Sequence, residues 1–230
     1  MDKLRIESMR ALRLMFFTLI ISTPLLANAE DSKAQTGLMF GLNVGYANGF
    51  AKESNVNAPK FSRTIKSGNV NFGGFVGYDY AVLERLSIGM EIGINYTPNI
   101  YELGLNINTV GNAKLKFSTL NIPFLLKVKL ITEMGFNLFL KGGINYQRLS
   151  ADIASCSSTL VAPTFCTDFH NVYGNNWRPV IAGGIGYQVK RFNIFAQYMY
   201  VFGNTLDTFA NNKALAQGNI TGGVSYILPI

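Results

Sequence analysis

The stretch Leu86–Thr97, LSIGMEIGINYT, decides the fold. Its even positions, Leu86, Ile88, Met90, Ile92, Ile94 and Tyr96, are all apolar or aromatic. Its odd positions, Ser87, Gly89, Glu91, Gly93, Asn95 and Thr97, are all small or polar. Successive side chains of a strand point to opposite faces, so this unbroken alternation predicts one greasy face and one wet face. Twelve residues at roughly 3.3 Å each span about 40 Å, enough to cross a bilayer at a steep tilt. A lone strand in hydrocarbon leaves its N–H and C=O groups without partners, so the rest of the chain must close a barrel around it.

The same period recurs on both sides. Strands are expected over Gly37–Ala47, Val70–Val82, Leu86 to about Leu105, Lys114–Leu130, Phe136–Arg148, Pro179–Val189, Phe192–Phe202 and Gly218–Ile230. Between them the connections alternate in length. Asn48–Asn69, Leu149–Trp177 and Gly203–Gln217 are long, whereas Leu83–Arg85, Thr132–Gly135 and Lys190–Arg191 are short. A turn is expected over Thr109–Ala113 with Gly111-Asn112 at its tip. Pro123 interrupts its strand and predicts a bulge there. The sum is an all-β chain, an eight-stranded antiparallel up-and-down transmembrane β-barrel with short periplasmic turns and long extracellular loops. Tyrosines give an independent check. With a periplasmic N-terminus, Tyr46, Tyr96, Tyr146 and Tyr200 fall at the outer ends of strands, and Tyr78, Tyr80, Tyr187 and Tyr226 at the periplasmic ends. Those are the two aromatic girdles of such a barrel.

Composition agrees. Hydrophobic residues make up 48% and charged residues 14%, apolar for an exported soluble domain, yet no later stretch reaches the length of a spanning helix. Residues 1–29 read as a cleaved secretory signal: Lys3, Arg5, Arg10 and Arg13, then the apolar run Leu14–Leu26, then Ala27-Asn28-Ala29. Residues 30–230 form one barrel domain. The net charge of +7 points to anionic lipid headgroups, because export argues against nucleic acid. Cys156 and Cys166, in an exported chain, are expected to form a disulfide.

Gly93-Ile94-Asn95-Tyr96 recurs as Gly143-Ile144-Asn145-Tyr146, with echoes at Gly184–Tyr187 and Gly223–Tyr226, as hairpin-level repetition would give. The whole mature chain resembles the small eight-stranded outer-membrane barrels, the OmpA-type and porin-like barrel-domain group. Thr119–Lys127, TLNIPFLLK, is similar to a central strand of that group, which makes Pro123 a tolerated feature. Thr221, Gly223, Tyr226 and Leu228 resemble the signal read by the barrel-assembly machinery, although the chain ends Leu228-Pro229-Ile230 where many members end in phenylalanine. The resemblance implies the outer membrane of a Gram-negative bacterium and members that act as anchors, adhesins, narrow pores or, occasionally, lipid-modifying enzymes.

Candidate residues are few. By parity Asp79, Glu91, Lys127, Lys129 and Lys141 face the lumen at similar depth, where unpaired charge is costly. Glu91 is expected to bond Lys127 or to reach across to Lys141, with Asp79 and Lys129 completing the balance. Lys52, Lys60, Arg63 and Lys66 make the first long loop basic, either a clasp for lipopolysaccharide phosphates or a host polyanion, or a solvated loop. His170 stands alone beside Asp168, which argues against a triad or a metal site, and Gly183-Gly184-Ile185-Gly186 lies within a strand and is no dinucleotide loop. No cofactor and no catalysis are expected. The expected partners are outer-membrane lipid, lipopolysaccharide and the assembly machinery, with the extracellular partner open. Three other readings remain at this point: a narrow porin-like channel, a lipid A-modifying enzyme, and a soluble ligand-binding barrel with its greasy face inside.

Overall fold

The computed structural model describes residues 33–50, 61–107, 111–158, 172–203 and 216–230. The expected signal, residues 1–29, lies outside them, as do Cys166, Asp168 and His170. Nine strands follow in order: β1 (Gly37–Gly49), β2 (Phe61–Ser67), β3 (Asn69–Leu83), β4 (Leu86–Ile107), β5 (Gly111–Ile131), β6 (Phe136–Ser158), β7 (Val172–Val189), β8 (Phe192–Val201) and β9 (Gln217–Pro229). β2 and β3 form one stave. Both pair with β4, and only Gly68, at φ 99°, interrupts them. Every pairing is antiparallel, β1 closes on β9, and β4 pairs with both β3 and β5, so the sheet is a closed eight-stave barrel.

The ladders fix its shape. Following the register Met39↔Gly77↔Glu91↔Leu125↔Gly143↔Val180↔Val201↔Gln217↔Gly49 returns to β1 at residue 49 after leaving it at residue 39, a stagger of ten residues. With eight staves and ordinary strand spacings this tilts the strands by about 40°. The outer wall carries the alternating apolar residues: Leu42, Leu126, Leu140 and Ile220 are each about two-thirds exposed, at 68%, 71%, 66% and 66%. Asn71, Asn121, Asn145 and Asn219, on the inner wall, have no accessible surface. A continuous apolar exterior of this size has no stable place in water. The soluble barrel with a greasy interior is therefore excluded, because its two faces are exchanged relative to this one.

Three sequence expectations need correction. β5 begins at Gly111, and Gly111 and Asn112 pair with Ile107 and Asn106, so they belong to a strand and not to a turn tip. β6 runs to Ser158 and β7 starts at Val172, so most of Leu149–Trp177 is strand; Asn48–Asn69 likewise contains β2. Above the lipid both faces of a strand are wet, and the period-two signal disappears while the hydrogen-bond ladder continues. The bulge is also displaced. The β4–β5 register is the same on either side of Pro123 and shifts only between Thr97 and Tyr101, where Asn99 has φ 46°. Pro123 is matched across β4 by Gly93, where the ladder has a gap, and that gap absorbs its missing N–H.

Candidate functional site in the barrel lumen

Five charged side chains are buried in the lower lumen: Asp79 on β3, Glu91 on β4, Lys127 and Lys129 on β5, and Lys141 on β6. Asp79 holds two of the lysines, with Oδ1 2.7 Å from Lys127 Nζ and Oδ2 3.1 Å from Lys129 Nζ. Lys141 Nζ donates to both oxygens of Glu91 at 2.9 Å and to Gln197 Oε1 at 3.0 Å. Lys129 also donates to Gln188 Oε1 at 3.4 Å. Of the two partners expected for Glu91, the structure brings Lys141 to it; Lys127 lies against Asp79 and Met39 Sδ, the latter at 3.2 Å.

Backbone register explains the choice. Asp79, Gly89, Lys127 and Lys141 form one row across four staves, so two ammonium groups stand side by side. Like charges directly opposite repel, and separate carboxylates, Asp79 for Lys127 and Glu91 for Lys141, neutralise them. Gly89 is the opening through which Asp79 and Lys127 meet, since a Cβ there would lie 2.4 Å from Asp79 Oδ1. Glu91 has only Gly77 and Leu125 beside it in register, so its cation must come from further round the wall.

Around this cluster sits an aromatic layer absent from the sequence expectations. The rings of Phe139, Phe75 and Phe195 lie 5.0, 5.3 and 5.8 Å from Lys141 Nζ. Phe195 meets Phe75 and Phe139 edge-on, at 5.7 and 6.2 Å between centroids. Each ring covers a glycine directly across the ladder: Phe75 on Gly41, Phe139 on Gly184 and Phe195 on Gly223. Met39 and Ile227 complete this buried cluster. Ring faces toward an ammonium add to its pairing with Glu91. The available signal was three phenylalanines on the polar parity of their strands.

Higher in the lumen the lining is amide. Asn145 donates to Asn121 at 2.9 Å, Asn121 to Gln217 at 3.1 Å, and Gln217 to Asn219 at 2.7 Å. Asn71 donates to Thr97 at 2.9 Å. Because β5 and β9 are four staves apart, the Asn121–Gln217 bond crosses the whole lumen. Ile100, Tyr101, Phe117, Leu149 and Ala216 are buried above it, and Ala47, in register with Asn219, is buried beside it.

Both rims are aromatic on the outside. Phe72 packs on Tyr96, and Trp177 on Phe124 and Tyr146, near the upper edge; Phe136 packs on Tyr187 and Phe192 on Tyr226 near the lower. Above the upper girdle, Arg148 and Asp152 are exposed and Lys114 pairs with Glu102 at 2.9 Å. Among the described residues no group of three or more His, Cys, Asp or Glu side chains is placed to hold a metal ion. Cys156 lies in β6 with its backbone opposite Ala113, and its expected partner, Cys166, is outside the described residues.

The chain is similar to Neisserial surface protein A, at 14% identity over 84% of this chain and 97% of that one, with a TM-score of 0.49. It is similar to OprG of Pseudomonas aeruginosa, at 12% identity over 85% and 99% of the two chains, with a TM-score of 0.46. It is also similar to Ail, the attachment invasion locus protein of Yersinia pestis, at 13% identity over 84% and 99%, with a TM-score of 0.43. No curated protein matches it in sequence. The family model for the outer membrane protein beta-barrel domain matches residues 27–207. The chain belongs to that family, and its place is the outer membrane of a Gram-negative bacterium.

Proposed function

We propose that this protein is a non-enzymatic, non-conducting anchor that holds extracellular strands and loops for a binding partner. The observation that carries the reading is the cross-lumen layer of Asp79, Glu91, Lys127, Lys129 and Lys141 packed with Phe75, Phe139 and Phe195. All five charges are engaged with one another, which supports a sealed level with no acid or base held ready for chemistry. An eight-stave interior is narrow enough for side chains to fill.

The outward side supports the second half. β4 runs eleven residues past Tyr96 and β6 twelve past Tyr146, so this wall rises roughly 25 Å above the aromatic girdle at ordinary rise and tilt. Arg148, two residues past Tyr146, with Lys116 and Lys114 higher on that wall, is the lipopolysaccharide contact we infer. β9, carrying Thr221, Gly223, Tyr226 and Leu228, is the segment we assign to recognition by the barrel-assembly machinery.

The test is conductance in planar bilayers together with refolding of Glu91→Gln. No current above leak, with a large loss of stability in the variant, is the expected result. A steady current from the unmutated protein, with little loss in the variant, overturns the reading in favour of a hydrated narrow channel.

A further inference from the structure

Lys33–Thr36, the described residues just before β1, fold back across the periplasmic mouth. Ala34 N–H donates to Glu84 O at 2.7 Å, and Lys33 Nζ lies 3.4 Å from the Glu84 carboxylate, both in the β3–β4 turn. Gln35 Nε2 donates to Lys190 O at 2.9 Å in the β7–β8 turn. In the ring order β1, β3, β4, β5, β6, β7, β8, β9 those two turns stand four staves apart, on opposite sides of the mouth. Two neighbouring residues therefore bridge a diameter. Ala81 N–H donates to Thr36 Oγ1 at 3.0 Å and ties the segment to β3 as well.

The segment also touches the lumen cluster from below. Gln188 points inward from β7, donates to Lys33 O at 3.3 Å and accepts from Lys129 Nζ at 3.4 Å. Lys129 in turn bonds Asp79. A continuous polar chain thus runs from the segment through Gln188 and Lys129 to Asp79, the fully buried carboxylate. Lys33, Ala34, Gln35 and Thr36 offer no large apolar side chain, and the Lys33–Glu84 pair is exposed, at 55% and 77%. Hydrogen bonds and an exposed ion pair that compete with water give a shallow docking free energy.

We propose that Lys33–Thr36 is a detachable strap that closes the periplasmic mouth and shields the ion cluster from water. Docked, it covers Gln188 and Lys129; released, it opens the lower lumen as far as the phenylalanine layer and no further. The upper layers are untouched by its release, so bilayer conductance stays at leak level in either state. A current that appears on its release counts against the non-conducting reading and not against the strap.

The reporter is Ser87→Cys in the full chain, with Cys156→Ser and Cys166→Ser to remove the native thiols. Ser87 is fully buried on the inner wall, in register with Lys129. Labelling by a small, membrane-impermeant cationic thiosulfonate is measured with and without the strap variant Lys33→Gly, Ala34→Pro, Gln35→Gly. Ala34→Pro removes the N–H that Glu84 accepts, and Gln35→Gly removes the amide that reaches Lys190. Labelling in the strap variant should be faster by about tenfold or more, the factor that losing one or two net hydrogen bonds gives. Equal rates, fast or slow, overturn the proposal. Ser225→Cys, buried on β9 across the lumen, repeats the measurement if the first reporter does not refold, with the same two outcomes.

Discussion

The lower and upper storeys of the lumen are both polar by the same parity rule, yet they are built on different principles. Below, two carboxylates hold three lysines, and Gly89 is the opening that lets Asp79 meet Lys127 in their shared row. Above, Asn71, Asn121, Asn145, Gln147, Gln217 and Asn219 share amide hydrogen bonds, where every side chain can both donate and accept. A charge in a low-dielectric interior has few acceptable arrangements. An amide has several. The lower storey should therefore be brittle and the upper one forgiving.

The largest effect tests the brittle half. Lys141→Met keeps most of the side-chain volume against the three rings but leaves Glu91 buried without its cation. The expected loss is about 3–5 kcal/mol in reversible urea unfolding from lipid vesicles. Glu91→Gln combined with Lys141→Met should recover much of that loss, because no stranded charge remains. A double variant as unstable as the sum of its parts would mean that packing, and not charge matching, holds this storey. Next in size is a change on the outer wall at the same level. Ile92→Arg places a cation in lipid beside Glu91, whose side chain faces the lumen, and should cost about 2–4 kcal/mol near the midplane. A loss near zero would show that Ile92 lies in the headgroup region, and would shift the whole lower storey out of the hydrocarbon with it.

Much of this is legible in the sequence, and the boundary of what is legible is physical. Between the girdles, lipid outside and crowding inside force period two, so Leu86–Thr97 and its relatives declare both faces. Above Tyr96 and Tyr146 water meets both sides, and Glu102, Lys114 and Asp152 carry no pattern that distinguishes a strand from a loop. The five lumen charges could be read from parity. Their pairing could not, because it depends on Gly89 standing between Asp79 and Lys127 and on Glu91 having no cation in its own row. Phe75, Phe139 and Phe195 fall between these cases. Aromatic residues at polar parity were visible, but their purpose appears only when the register sets each against a glycine. Pro123 misleads for the opposite reason: a local rule demands a bulge, and a gap opposite Gly93 removes the need.

The smallest predicted effect bears most directly on the forgiving half. Gln217 is fully buried, and its amide spans from β9 to Asn121 on β5, the longest reach in the upper storey. By position alone it resembles Lys141, a single side chain on which a cross-lumen contact depends. Yet Gln217→Ala leaves neutral amides behind, and these have other partners at hand. Asn121 keeps its bond to Asn145, and Gln147 Nε2, 3.4 Å from both Asn121 Oδ1 and Gln217 Oε1, can turn fully to the former. The truncated side chain also leaves room for water to take the freed polar atoms, and a water bridge recovers most of a direct hydrogen bond. The expected loss is about 1–2 kcal/mol, because the direct bonds to Asn121 and Asn219 go and water recovers part of each. The same urea unfolding assay checks it, beside Lys141→Met. A loss as large as that of Lys141→Met would erase the distinction between the storeys. It would mean that the amides, like the charges below them, have only one arrangement that fits.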